Sequence, residues 1–242
     1  MEPAVSDQHK IWDHFQNEGV DSFAQNLGRV EFLVRRLRPG LRVLNIGVGN
    51  GALEKMALNK GLDIWCLDPS VRAIDHLRNA LRLGDKAQVG YCQATPFDDA
   101  QFDAVVMSEV LEHLDEDVFD ATLSEVERIL RPGGRFIGTV PAREVLEHSL
   151  VVCPCCGARF HRWGHKRSFS VETLGTALSQ VFEVDEAHER FFIEWESAGW
   201  WRRAQGLVKQ FLSWRGVGTY GIGRNIYFSV RKTDQTRTIR RR

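Results

Sequence analysis

The sequence has no excess of either charge, with 32 lysines and arginines against 32 aspartates and glutamates. No overall field therefore recruits nucleic acid or an anionic membrane surface. Long apolar runs are missing too. No uninterrupted stretch reaches the roughly 20 residues that span a bilayer, and the N-terminus lacks a signal-peptide apolar region. Cysteine is scarce. Five in all, an odd number without a secretion signal, argue against a disulfide framework and for a reducing, cytoplasmic setting. Internal repeats and low-complexity linkers are absent as well. What remains is an ordinary globular composition, 43% hydrophobic and 26% charged, in 242 residues: one generous domain, or one domain with additions.

The chain is organised around residues 43–53, Val-Leu-Asn-Ile-Gly-Val-Gly-Asn-Gly-Ala-Leu. An apolar run ends in three alternating glycines, Gly47, Gly49 and Gly51, and passes into helix-compatible sequence. Glycine tolerates positive φ there and leaves no Cβ between backbone and ligand. A second short apolar run, residues 64–67, ends in Asp68, whose carboxylate can accept both hydroxyls of a ribose. This much also fits a dinucleotide fingerprint, Gly47-x-Gly49-x-x-Ala52 with Asp68 about 20 residues on.

The surrounding pattern alternates. Strand 42–46, helix 51–60, strand 63–68, helix 70–83, strand 87–92, a strand from Phe102 to Met107, helix 117–130, a Pro132-Gly133-Gly134 turn and strand 135–140 follow in order. That rhythm predicts an α/β, Rossmann-like, doubly wound and mostly parallel sheet of seven strands, with its ligand site at the strands' carboxyl ends. Residues 1–40 read as an N-terminal helical cap, 141–169 as a Cys/His-rich lid inserted in the 41–232 domain, and 233–242 as a disordered basic tail. A Trp-rich amphipathic helix over 196–215 precedes the last strand. It is expected to pack on the core, cover an acceptor pocket, form a homodimer or rest on a membrane surface.

Four stretches together resemble the class I S-adenosylmethionine-dependent methyltransferases, in the group of ubiquinone-type and sugar O-methyltransferases: residues 45–51, Leu67-Asp68, residues 102–114 with Ser108-Glu109-Val110-Leu111-Glu112-His113, and Leu130-Arg131-Pro132-Gly133-Gly134. The last two have no place in a dehydrogenase pattern, which rejects the dinucleotide reading. The resemblance implies that Gly47, Gly49 and Gly51 approach the methionine portion of the cofactor and that Asp68 holds the ribose. Asn45, Gln93, Ala94 and Ser108 complete the implied cofactor site. Asn45 and Gln93 stand where the family usually has acids, so both contacts lose charge assistance.

Methyl transfer to a hydroxyl is an in-line displacement that needs positioning, water exclusion and loss of a proton. His113 is the candidate base by residue type. Glu109 and Glu112, three apart, are expected to share a helical face with it and could hold a divalent cation. By the resemblance, that stretch binds a metal in ubiquinone-type and small-RNA 3′-terminal 2′-O-methyltransferases, joined in the latter by a later histidine, for which His165 is the candidate. A rival use of the same histidine is a structural zinc site of Cys153, Cys156, His161 and His165, at C-x2-C-x4-H-x3-H spacing. His165 cannot serve both. The expected activity is O-methylation of a small molecule or glycan, without DNA. The alternatives are 2′-O-methylation of RNA ends, which the neutral charge balance opposes, and a non-catalytic zinc module acting in assembly.

Overall fold

A computed structural model of the chain describes residues 27–192 and 224–233. Helix α1 spans Leu27–Arg35, with Val30, Leu33 and Val34 as its buried stripe. Strand β1 (Arg42–Ile46), helix α2 (Ala52–Asn59), strand β2 (Asp63–Asp68) and helix α3 (Val71–Ala80) follow. Strands β3 (Ala87–Val89) and β4 (Phe102–Ser108) lead to helix α4 (Glu116–Ile129) and strand β5 (Leu130–Pro141). A small hairpin, β6 (Leu150–Val152) and β7 (Arg159–His161), then interrupts the alternation. Helix α5 (Val171–Ser179), opened by a Ser170–Thr173 capping box, and strands β8 (Glu183–Arg190) and β9 (Asn225–Arg231) complete the described chain.

Seven strands form one sheet in the order β3-β2-β1-β4-β5-β9-β8, and β6 pairs with β7 apart from it. Strands β1 to β5 run parallel, while β9 lies antiparallel between β5 and β8. The doubly wound sheet is therefore as expected, and its order reverses between β1 and β4. Central strands must bury both faces, which is why residues 43–46 are buried in succession. On one face Leu44, Phe102, Val105, Phe136 and Phe228 pack with residues of α4 and α5. On the other, Val43, Ile64, Val106 and Ile137 pack with residues of α1, α2 and α3.

Local corrections bear on the site. Strand β3 ends at Val89, short of the expected residue 92, because Tyr91 and Ala94 close a separate bridge that turns the chain. The segment after α4 is not a turn between helix and strand. Leu130 already pairs with Phe102 and Arg135 with Ala104, so residues 131–134 bulge out of β5. Glu109, Glu112 and His113 do not share a helical face. Glu109 has φ 58°, its N–H still donates to the Thr139 carbonyl, and Leu111–His113 is only a 3₁₀ turn. The expected first helix around residues 11–15, the 196–215 segment and residues 234–242 of the tail lie outside the described residues. Among those described, no helix is long and apolar enough to cross a membrane.

The aromatic layer gives a direct test of this packing. Phe136 is fully buried, with its ring 4.9 Å from that of Phe228 and 5.8 Å from that of Phe182. Phe136→Ala should cost about 3–5 kcal/mol, seen as a lower urea midpoint at unchanged slope. A loss below about 1 kcal/mol would mean that the layer closes without this ring.

Candidate functional site

The glycine loop sits at the carboxyl end of β1, where the strand order reverses. Gly47, Gly49 and Gly51 all have positive φ, at 86°, 52° and 78°. Two of them are also sterically bound to glycine. A Cβ on Gly47 would stand 2.6 Å from Val110 Cγ2, and one on Gly51 2.5 Å from Leu77 Cδ2. Asp68 ends β2 beside this loop and is buried. Its Oδ2 accepts the N–H of Val48 at 2.9 Å and its Oδ1 that of Ser70 at 2.8 Å. The carboxylate is thereby fixed at the end of β2 beside the glycine loop. Gln93 and Ala94 stand in the turn after β3, and Gln93 Oε1 lies 3.6 Å from Cys92 Sγ. Ser108, at the end of β4, accepts from Arg29 Nε at 2.9 Å and lies 3.0 Å from Thr139 Oγ1.

Asn45 brings in a residue that the sequence reading missed. Its Nδ2 donates to Glu54 Oε1 at 2.6 Å, beneath the glycine loop. Glu54 is fully buried on α2, and burial pushes its carboxyl up to about 7 despite the Asn45 hydrogen bond. Asn45 Oδ1 and Glu54 Oε2 have no hydrogen-bond partner. The signal was present as a glutamate on the stripe of Leu53 and Ala57, the two other buried residues of α2.

The second constellation gathers at the exit of β4. Ligand atoms of Glu112, His113 and His165 lie within 4.8 Å of one another. Glu112 is fully buried, and neither carboxylate oxygen has a hydrogen-bond partner. Its carboxyl is held well above the usual range by burial, then by the nearby Glu109 charge. His113 Nδ1 lies 3.2 Å from the Gly164 carbonyl, which can only accept, so the proton is on Nδ1 and Nε2 keeps the lone pair. Burial and the neighbouring His165 push His113 down to about 3. A histidine with so low a proton affinity is a poor general base and a good neutral ligand. The lid is tied to the same place, because the N–H groups of Lys166 and Arg167 donate to the Glu112 carbonyl at 2.8 and 3.1 Å.

Glu109 stays outside this set. Its Oε2 accepts from Asn225 Nδ2 at 2.8 Å and lies 3.8 Å from Arg29 Nη1.

The expected zinc site is not assembled. Cys153, Cys155 and Cys156 occupy the tip of the β6–β7 hairpin, where Gly157, at φ 72°, lets its N–H reach the Cys153 carbonyl. Backbone N–H groups of Cys156 and Cys155 lower the Cys153 thiol. His161 pairs with Leu150 at the opposite end of the hairpin and, with His165, faces Glu144 instead. Among the described residues no group of three ligand atoms within 4.8 Å includes a cysteine. The error was to read spacing along the chain as proximity across a hairpin.

Residues 44–138 match a methyltransferase-domain family. An uncharacterized methyltransferase of Mycobacterium bovis is 37% identical over 94 residues, 39% of this chain and 37% of that protein. A ubiquinone biosynthesis O-methyltransferase of Alkalilimnicola ehrlichii is 31% identical over 124 residues, 49% of this chain and 45% of that protein. The chain thus spans less than half the length of these relatives. The solved 1,6-didemethyltoxoflavin-N1-methyltransferase of Burkholderia thailandensis, with bound 1,6-didemethyltoxoflavin and S-adenosylhomocysteine, has a TM-score of 0.64 at 17% identity, covering 94% of this chain and 87% of that one. That likeness concerns the fold.

Glu54 generates a prediction with a definite sign. Its folded-state carboxyl is raised from 4.5 to about 7, so the folded protein holds this proton more tightly than the unfolded chain does. Stability from Glu54 is complete below about pH 4.5 and falls as pH rises through about 7. Glu54→Gln removes this loss and should make the protein more stable than wild type above pH 7, by roughly 3 kcal/mol. Parallel stability curves for the two proteins from pH 5 to 8 would refute the assignment.

Proposed function

We propose that the chain, whose residues 44–138 match a methyltransferase domain, is a class I S-adenosylmethionine-dependent methyltransferase and that it methylates a hydroxyl that reacts beside a divalent cation. The observation that carries this reading is Glu112, a fully buried carboxylate with both oxygens partnerless and two histidines against it. An uncompensated buried carboxylate is costly, and a cation is the partner its surroundings fit. Glu112, His113 and His165 would hold the ion. Such an ion lowers the pKa of a hydroxyl bound to it.

The chain's own residues supply the rest. Gly47, Gly49 and Gly51 admit the methionine portion of S-adenosylmethionine, Asp68 accepts the ribose hydroxyls, and Gln93 and Ala94 border the adenine. The acceptor oxygen attacks the sulfonium methyl in line. The C–S bond would break as the C–O bond forms, S-adenosylhomocysteine would leave, and the hydroxyl proton would pass to solvent water. The protein's task is positioning and water exclusion, because the leaving group is already activated. His113 orients rather than deprotonates.

A small molecule or glycan with adjacent hydroxyls suits a cation site in a chain without net charge, and a relative named as an O-methyltransferase supports hydroxyl chemistry. Methylation of the 2′-hydroxyl at an RNA end is the second reading, favoured by the later histidine, His165, standing with Glu112 and His113. The assembly-module reading loses its support with the separation of the cysteines from the histidines.

Transfer of labelled methyl to catechols, glycans and RNA 3′ ends is the test of the acceptor. Chelator should abolish transfer and Mn²⁺ restore it, and Glu112→Gln should lower turnover by about 10² or more with cofactor binding retained. Full activity of rigorously demetallated protein would overturn the cation reading. Asp68→Ala should weaken S-adenosylmethionine binding by about 2–4 kcal/mol in calorimetry. Unchanged affinity would remove Asp68 from the ribose site.

A further inference from the structure

Glu144, His161 and His165 also bring ligand atoms within 4.8 Å of one another, which on distance alone resembles a second cation site. Proton placement excludes it. His161 Nδ1 accepts two backbone N–H groups, from His165 at 3.1 Å and Trp163 at 3.3 Å. A neutral imidazole that accepts at Nδ1 must carry its proton on Nε2. That nitrogen is buried and lies 3.3 Å from Glu144 Oε1, close but without hydrogen-bond geometry, and it offers no lone pair to a metal. The other Glu144 oxygen, Oε2, meets His165 Nδ1 in a close contact. Because that carboxylate oxygen can only accept, Nδ1 carries the proton and a neutral His165 keeps its lone pair on Nε2. The His165 ring stands edge-on to His113, with centroids 4.8 Å apart, and nearly parallel to His161, at 4.7 Å and 19°.

From this arrangement we infer that Glu144 and His161 are positioning residues: together they set the tautomer of His165 so that Nε2 is available as a ligand atom beside Glu112 and His113. The inference rests on the cation reading above, but its core, the tautomer, can be measured without a metal. Ligating histidines generally donate their second ring N–H to a carboxylate or carbonyl, and here Glu144 and Gly164 serve His165 and His113. His161 adds direction. Because two backbone donors fix its own tautomer, it presents an N–H and not a lone pair to residue 144, so an oxygen is favoured over an NH₂ at that place.

That direction makes Glu144→Gln informative. A glutamine offers one acceptor oxygen, which His161 retains, so its NH₂ faces His165 Nδ1 and drives the His165 proton to Nε2. His161→Asn should be mild, since its side-chain oxygen can still accept the backbone donors of the turn but does not reach residue 144. In the double variant the glutamine is free to turn its oxygen toward His165.

Nitrogen-15 NMR of the metal-free full-length protein at pH 8 should show His165 protonated on Nδ1 and His161 on Nε2. His165 protonated on Nε2 overturns the inference. Mn²⁺ titration, followed by the electron paramagnetic resonance of the free ion, should find Glu144→Gln weakened by about 10–100-fold, His161→Asn within about threefold of wild type, and the double variant at least about tenfold tighter than Glu144→Gln. A double variant as weak as Glu144→Gln would mean that the lost charge, not the tautomer, is responsible, and overturns the inference. Wild-type protein that binds no Mn²⁺ while showing the expected tautomers sinks the cation reading and supports the tautomer assignment.

Discussion

A carboxylate that is buried must be neutralised, hydrogen-bonded or met by a cation, and three buried acids in this fold meet that requirement in three ways. Asp68 accepts two backbone N–H groups and stays a fixed acceptor at the end of β2. Glu54, whose Oε1 accepts from Asn45, answers by keeping its proton into the neutral range. Glu112 has no hydrogen-bond partner at either oxygen. Desolvating an ion costs several kcal/mol, which is why burial holds the Glu112 carboxyl well above the usual range.

The lid is built around this problem. Residues 164–167 close on the turn after β4 through the Gly164 carbonyl and the N–H groups of Lys166 and Arg167. The same short stretch carries His165, whose orientation is held by Glu144 from the start of the lid. One side of the acid-histidine cluster therefore belongs to the sheet and the other to the insertion. Arg29 of α1, bonded to Ser108 and near Glu109, ties a third element to the same rim.

Much of this was legible in the sequence. The apolar run before Gly47, the apolar stretch ending in Asp68 and the periodic helices left little freedom in the sheet, because burial on both faces demands such strands. The glycine loop and Asp68 come together because they are local to two adjacent strand ends. What was not legible depends on the third dimension. Cys153 and His161 lie close in sequence yet at opposite ends of a hairpin. Glu109 and Glu112 have helical spacing, but a positive φ at Glu109 sends its side chain to Asn225, 116 residues away. Glu144 showed no motif at all, since its role arises only when the lid folds back. The resemblance offered His165 as a candidate partner of Glu109, Glu112 and His113, and three of these four lie together in space.

The pairing of Asn225 with both Pro141 and Arg190 has a further consequence. It places the junctions of residues 193–223, the stretch between β8 and β9, at the rim where β5 delivers its carboxyl end. The chain therefore leaves the sheet after β8 and re-enters it at β9 beside the carboxyl end of β5.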